Sequence, residues 1–166
     1  FDRGIVSEEN LAAIRKRDGQ YLTGTPRSQM KQFEADLLKA DWIRVRPEVE
    51  VKKVAIPQGE ETYILCRTAG RKEKEKAIRS RFSNSMETAL QGLEKTIATG
   101  RLKDRNKMER RLGKIQARHP QVNDLYDLDL RDTAEGVRLF WQIKEDRKNW
   151  RESREGAYLL RTNLKA

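Results

Sequence analysis

Residues 61–82 read ETYILCRTAGRKEKEKAIRSRF, and a change of period inside them sets the architecture. Thr62 to Thr68 is rich in β-branched, aromatic and aliphatic residues, the composition of a half-buried strand. From about Ala69 the apolar residues instead recur every three or four positions, at Ile78, Phe82, Met86, Leu90, Leu93 and Ile97. That spacing draws one apolar stripe along a helix. Thr99-Gly100 breaks it, and Leu102, Met108, Leu112 and Ile115 carry a second stripe until His119-Pro120, where His119 reads as a helix C-cap. A long helix, a tight turn and a second helix predict an antiparallel helical hairpin over 69–118. The first arm approaches about 45 Å at 1.5 Å per residue. Gly92 and Gly113 weaken their helices by roughly 1 kcal/mol each, which suggests that they allow close helix contact.

On either side of the hairpin the pattern is that of strands. Upstream, IRVRPEVEVKKVAI (43–56) alternates apolar and charged residues and predicts a strand antiparallel to 62–68, joined to it by a loop at Pro57–Glu61. Pro47 demotes the start of that strand to an edge or a bulge. Further upstream, Ser7 is a good N-cap with Glu8 and Glu9 behind it, and Asp18-Gly19 stops the helix. Tyr21–Thr23 reads as a short strand ended by Gly24 and Pro26. Ser28 is placed to cap a helix running to about Ala40, with Met30, Phe33, Leu37 and Leu38 on one face. Downstream, DLYDLDL (124–130), GVRLFWQI (136–143) and GAYLLRTN (156–163) predict strands, and EDRKNWRES (145–153) a short helix or turn. The class expected is α/β (α+β), with strands at both ends of a basic helical hairpin that projects as an insertion.

The chain has 166 residues, enough for one domain with an elaborated insertion. Only 36% are apolar against 37% charged, so the core is modest. No stretch reaches the ~18 continuous apolar residues of a membrane span, and no secretory signal pattern is present. Cys66 is the single cysteine, which excludes an internal disulfide framework and fits a reducing cytoplasm; within TYILCRT it reads as a small buried hydrophobe. The net charge of +10 is concentrated: Arg67–Arg118 holds 16 Lys and Arg against 6 Asp and Glu, while the rest balances at 20 against 20. One stretch therefore carries the whole excess, which points to a polyanion contact. The bland alternative is a solvated helical arm.

Chemistry-bearing residues are few. Asp2 lies just before a helix, where open α/β sheets place ligand sites, but two-metal phosphoryl transfer needs several converging carboxylates. Asp127-x-Asp129 would share one strand face and is as readily solvated as metal-binding. No Cys/His zinc set, no Ser-His-Asp triad and no phosphate-binding glycine loop is present. Trp42, Trp141 and Trp150 have the chemistry to stack on bases, although Trp141 in an apolar strand reads as core.

Taken together, DRGIVSEENLAAIRKRDGQYLTGTPRSQMKQFEADLL (2–38), ETYILCRTAGRKEKEKAIRSR (61–81) and GAYLLRTN resemble DDE transposases of bacterial insertion sequences, in the branch with a YREK signature. The resemblance spans most of the chain and centres on the second catalytic aspartate. It implies a partial RNase H-like core over 1–41 and an insertion domain over 42–155. That insertion would comprise strands 42–68, the basic hairpin 69–118, and strands with a short helix at 122–155. Residues 156–166 would return as a strand toward the core.

Asp2 matches the second metal-binding aspartate, and the first would lie upstream of Phe1. Tyr158-x2-Arg161 begins like the signature, but Lys165 stands where its Glu belongs, so that Glu is expected beyond Ala166. The implied parent is a cytoplasmic, prokaryotic enzyme using two Mg²⁺ or Mn²⁺ ions on DNA, at transposon ends and target, as a homodimer or synaptic complex. The chain by itself is expected to bind metal poorly and not to cleave. Arg71, Lys72, Lys74, Lys76, Arg79 and Arg81, extended by Arg105, Lys107, Arg110, Arg111 and Lys114, are the expected phosphate contacts. Two readings of other classes stand beside this one: a non-enzymatic basic helical-hairpin module for nucleic acid or a protein partner, and a structural spacer.

Overall fold

A computed structural model describes residues 6–55 and 61–164. Its helices are α1 (Glu8–Arg15), α2 (Glu34–Leu38), α3 (Ala69–Ala98), α4 (Arg105–Arg118) and α5 (Glu145–Ser153). Its strands are β1 (Leu22–Gly24), β2 (Ile43–Arg46), β3 (Val49–Ala55), β4 (Thr62–Thr68), β5 (Tyr126–Thr133), β6 (Gly136–Ile143) and β7 (Ala157–Thr162). Every described strand pair is antiparallel, so the class is α+β. The chain divides into two compact units, residues 1–74 with 153–166, and residues 75–152. The division falls inside α3 and near the end of α5.

The first unit is built on a five-stranded sheet in the order β1-β7-β4-β3-β2. Its central strand is β4, flanked by β3 and by β7, and β7 pairs Leu159 with Leu65 of β4 and Thr162 with Leu22 of β1. Leu65, Leu159, Ala157, Tyr63, Cys66 and Val54 are buried, and the rings of Phe33 and Tyr63 meet at 5.6 Å. Burial pushes the Cys66 thiol pKa up, as expected of a small hydrophobe rather than a nucleophile.

Two local expectations are corrected here. The single strand over 43–56 is a hairpin, because Pro47 cannot donate to a ladder and Pro47-Glu48 turns the chain between β2 and β3. The register also shifts between Arg44 and Arg46, leaving β2 as the exposed edge. The helix expected over 28–40 is instead a 3₁₀ segment, Arg27–Phe33, followed by the five-residue α2. Ser28 lies inside the 3₁₀ turns and caps nothing. Met30, Phe33 and Leu37 are still buried. The buried Lys52 ends α2 by donating to the carbonyls of Asp36 (2.5 Å) and Lys39 (2.9 Å), acceptors that a continuing helix would use itself.

The second unit packs α3 and α4 with the β5–β6 ribbon. Met86, Leu90, Leu93 and Ile97 of α3 meet Leu102, Met108, Val122, Leu125, Tyr126, Leu130 and Leu139 in one core. Gly100 turns the chain between the helices at φ +71°, a conformation that costs glycine nothing. Asp104 then caps α4, its carboxylate accepting from the Lys107 amide at 2.9 Å. His119 is the C-cap of α4, with both ring nitrogens in use, Nδ1 at 2.8 Å from the Ile115 carbonyl and Nε2 at 3.1 Å from Ser85 Oγ.

Gly92 and Gly113 do not mediate close helix contact: a Cβ added at either would meet nothing within 4 Å. The ribbon is tied to α3 by Glu94, whose carboxylate accepts from Arg138 Nε (2.5 Å) and from the Leu139 amide (2.6 Å). No helix among the described residues is long and apolar enough to cross a membrane.

Candidate nucleic-acid interface

The hydrophobic pattern of α4 fixes which way its charges point. Met108 is buried and Leu112 and Ile115 are half-buried, all three against the core of the second unit. At 100° per residue these three occupy an arc of about 60°. Lys107, Arg110, Arg111, Lys114 and Arg118 occupy an arc of about 100°, centred some 120° round the helix from the apolar stripe. All five are exposed, and none forms an ion pair among the described residues. The one acid of the helix, Glu109, lies outside that arc and pairs with Arg105 at 3.2 Å. The result is an acid-free basic stripe about 16 Å long, at 1.5 Å per residue.

The other predicted contacts are placed differently. Arg105 is held by Glu109, by Asp132 at 2.9 Å and by the Leu130 carbonyl at 3.0 Å, so it fastens α4 to β5. Arg79 is half-buried and paired with Glu152 at 2.9 Å. The Arg71 guanidinium lies over the Tyr158 ring at 5.6 Å, and that of Arg81 beside the Phe82 ring at 5.3 Å. Lys72, Lys74 and Lys76 are exposed. Around α3, however, the six basic positions 71, 72, 74, 76, 79 and 81 spread over about 220°, with Glu75 among them. The structure therefore brings Lys107, Arg110, Arg111 and Lys114 onto one face and scatters the α3 set. Arg118 completes the face; its spacing of four from Lys114 and seven from Arg111 is the signal that identifies it in the sequence.

Other charged groups are occupied structurally. In the first unit Arg161 donates to both Glu61 and Glu8, while Glu61 also accepts from Arg15 and from the Tyr21 hydroxyl. The Arg161 guanidinium hydrogen-bonded to Glu8 holds that carboxyl below its ordinary pKa. Asp127 and Asp129 are both exposed, with Asp129 accepting from Arg131 at 2.7 Å. Trp141 packs against the second core, and the Trp42 ring lies between Lys52 (4.9 Å) and Arg67 (4.2 Å). Asp2 lies outside the described residues. Among the described residues no three His, Cys, Asp or Glu side chains converge to hold a metal ion, so no step through a metal follows from them.

Comparison with models of protein families, with curated proteins and with solved structures gives no match.

Proposed function

We propose that this chain is part of a DDE transposase and that its helical hairpin holds DNA by the phosphates. The sequence resemblance supplies the transposase half of this reading, with Asp2 as a metal-binding aspartate and an RNase H-like core as its setting. The observation that carries the DNA half is the charge excess of the hairpin together with the one-sided exposure of the α4 cations, which no acid on that face neutralises. Like charges crowded on one helix face repel by a few tenths of a kcal/mol per pair. A polyanion relieves that repulsion and releases its own counterions, the sequence-independent term of DNA affinity.

Two measurements test the two halves separately. Binding of duplex DNA, followed by fluorescence anisotropy at several salt concentrations, is expected to weaken steeply with salt; a flat dependence would sink the DNA reading. Strand cleavage with Mg²⁺ is expected from a chain that includes an upstream Asp-bearing strand and a downstream Glu-bearing helix. No cleavage is expected from residues 1–166 alone. Asp2-dependent cleavage by residues 1–166 would refute the division of the site proposed here.

A further inference from the structure

The cations of this hairpin are unequally placed, and that inequality carries an inference that rests on the DNA reading above. We infer that the five cations of α4, and not the six on the first three turns of α3, form the docking face, and that its ligand is the backbone of double-stranded DNA. Three observations converge on α4. Its apolar stripe is anchored in the core, so the outward orientation of Lys107, Arg110, Arg111, Lys114 and Arg118, about 120° round the helix, is imposed by packing rather than by mutual avoidance. None of the five spends its charge on a neighbouring carboxylate among the described residues, whereas Arg79 does. The helix that carries the stripe is also capped at both ends, by Asp104 and by His119.

The chemistry of the face selects the form of nucleic acid. Proteins that hold single strands add aromatic side chains on which bases stack. The α4 sequence RNKMERRLGKIQAR contains no aromatic residue, so the face offers charge without a stacking platform. Long Lys and Arg side chains along one line match a backbone of regularly spaced phosphates, and such contacts position DNA without reading its sequence. On α3, Lys72, Arg79 and Lys76 point to one side of the helix and Lys74 and Arg81 to another. A single duplex laid against α3 meets only part of that set.

Salt dependence provides the test, because each phosphate neutralised contributes about −0.9 to the slope of log affinity against log salt on duplex DNA. Five contacts give a slope near −4.5, so affinity is expected to fall ~500-fold between about 50 and 200 mM salt. Replacing Arg110 and Arg111 by Ala is expected to bring the slope to about −2.7 and the fall to ~40-fold. The pair Lys107→Gln and Lys114→Gln, at exposed positions without partners, should give the same reduction and guards against misfolding of the first variant. Lys74→Ala with Arg81→Ala should leave the slope unchanged.

If the α3 pair lowers the slope as much as the α4 pairs, the assignment to α4 is overturned while the DNA reading stands. If a single-stranded oligonucleotide of the same length binds as tightly as the duplex, the duplex assignment is overturned. If the unaltered chain shows no salt-dependent binding at all, the DNA reading falls and this inference falls with it.

Discussion

Arg161 Nε donates to the carboxylate of Glu61 one hundred residues away, and the two side chains are only 11% and 9% exposed. Glu61 stands just before β4 and Arg161 near the end of β7, so the pair locks the central strands of the first sheet together. Leaving a buried charge wholly unpaired costs about 3–5 kcal/mol, and because Arg15 still pairs with Glu61 the loss of Arg161 costs less than that. Arg161→Met is therefore expected to lower the urea midpoint of unfolding. Exposed Lys53→Ala, on the same sheet, should leave it within ~0.5 kcal/mol.

The same network predicts an acid limit to stability. Glu8 has a carboxyl pKa below its ordinary 4.5, chiefly because its carboxylate accepts a hydrogen bond from Arg161. A depressed native pKa adds stability that is complete above the unfolded value and is lost as pH falls through the native one. Thermal unfolding followed between pH 7 and pH 3 should show a falling midpoint below about pH 4.5. Glu8→Gln should flatten that limb, and an unchanged profile in the variant would remove Glu8 from the account.

Gly156 is a glycine that the fold does not readily replace. Its φ is +76°, and a Cβ there would lie 2.8 Å from the Thr68 carbonyl oxygen and 2.9 Å from the Lys72 amide nitrogen. Those are backbone atoms at the junction of β4 and α3, which have little freedom to move. Gly156→Ala is expected to destabilise by roughly 1–3 kcal/mol, read from chemical denaturation.

Gly113 should respond in the opposite sense. It lies inside α4 at an exposed position, with open space where a Cβ would go. Gly113→Ala is expected to stabilise by up to about 1 kcal/mol, because alanine has the higher helix propensity and meets no obstacle. A loss of stability would mean that α4 depends on a close approach at this glycine.

In the second unit, Leu90 is wholly buried among Met86, Leu93 and the ribbon residues. Leu90→Ala should cost about 2–5 kcal/mol through lost burial and the cavity left behind. If the stripe on α4 is positioned by this core, the variant should also weaken DNA binding at temperatures where the unit begins to open.

Much of the second unit was legible in the sequence because its signals are local. Ile78 to Ile97 repeat at the helical period, Thr99-Gly100 marks the turn, and GVRLFWQI coincides with β6. The end of α2 at Leu38 was not legible, because it depends on Lys52 arriving from β3 to take the carbonyls of Asp36 and Lys39. Pro47 was read as an edge or bulge signal. That it ends one strand and starts another follows only from the pairing of Ile43 with Val51.

The candidate face divides along the same line. Composition and charge run alone located the excess of basic residues between Arg67 and Arg118 and pointed to a polyanion contact, with a solvated arm as the alternative. They could not separate the cations of α3 from those of α4, because lysines and arginines in sequence carry no direction. Direction came from the apolar stripes: once Met108, Leu112 and Ile115 are packed, the positions of Lys107, Arg110, Arg111, Lys114 and Arg118 follow from 3.6 residues per turn. Periodicity, a local property, is written in the sequence. The place of β7 between β1 and β4, the buried pairing of Arg161 with Glu61 and the occupation of Arg79 and Arg105 by distant acids join residues 27 to 140 positions apart, and only the tertiary structure decides them.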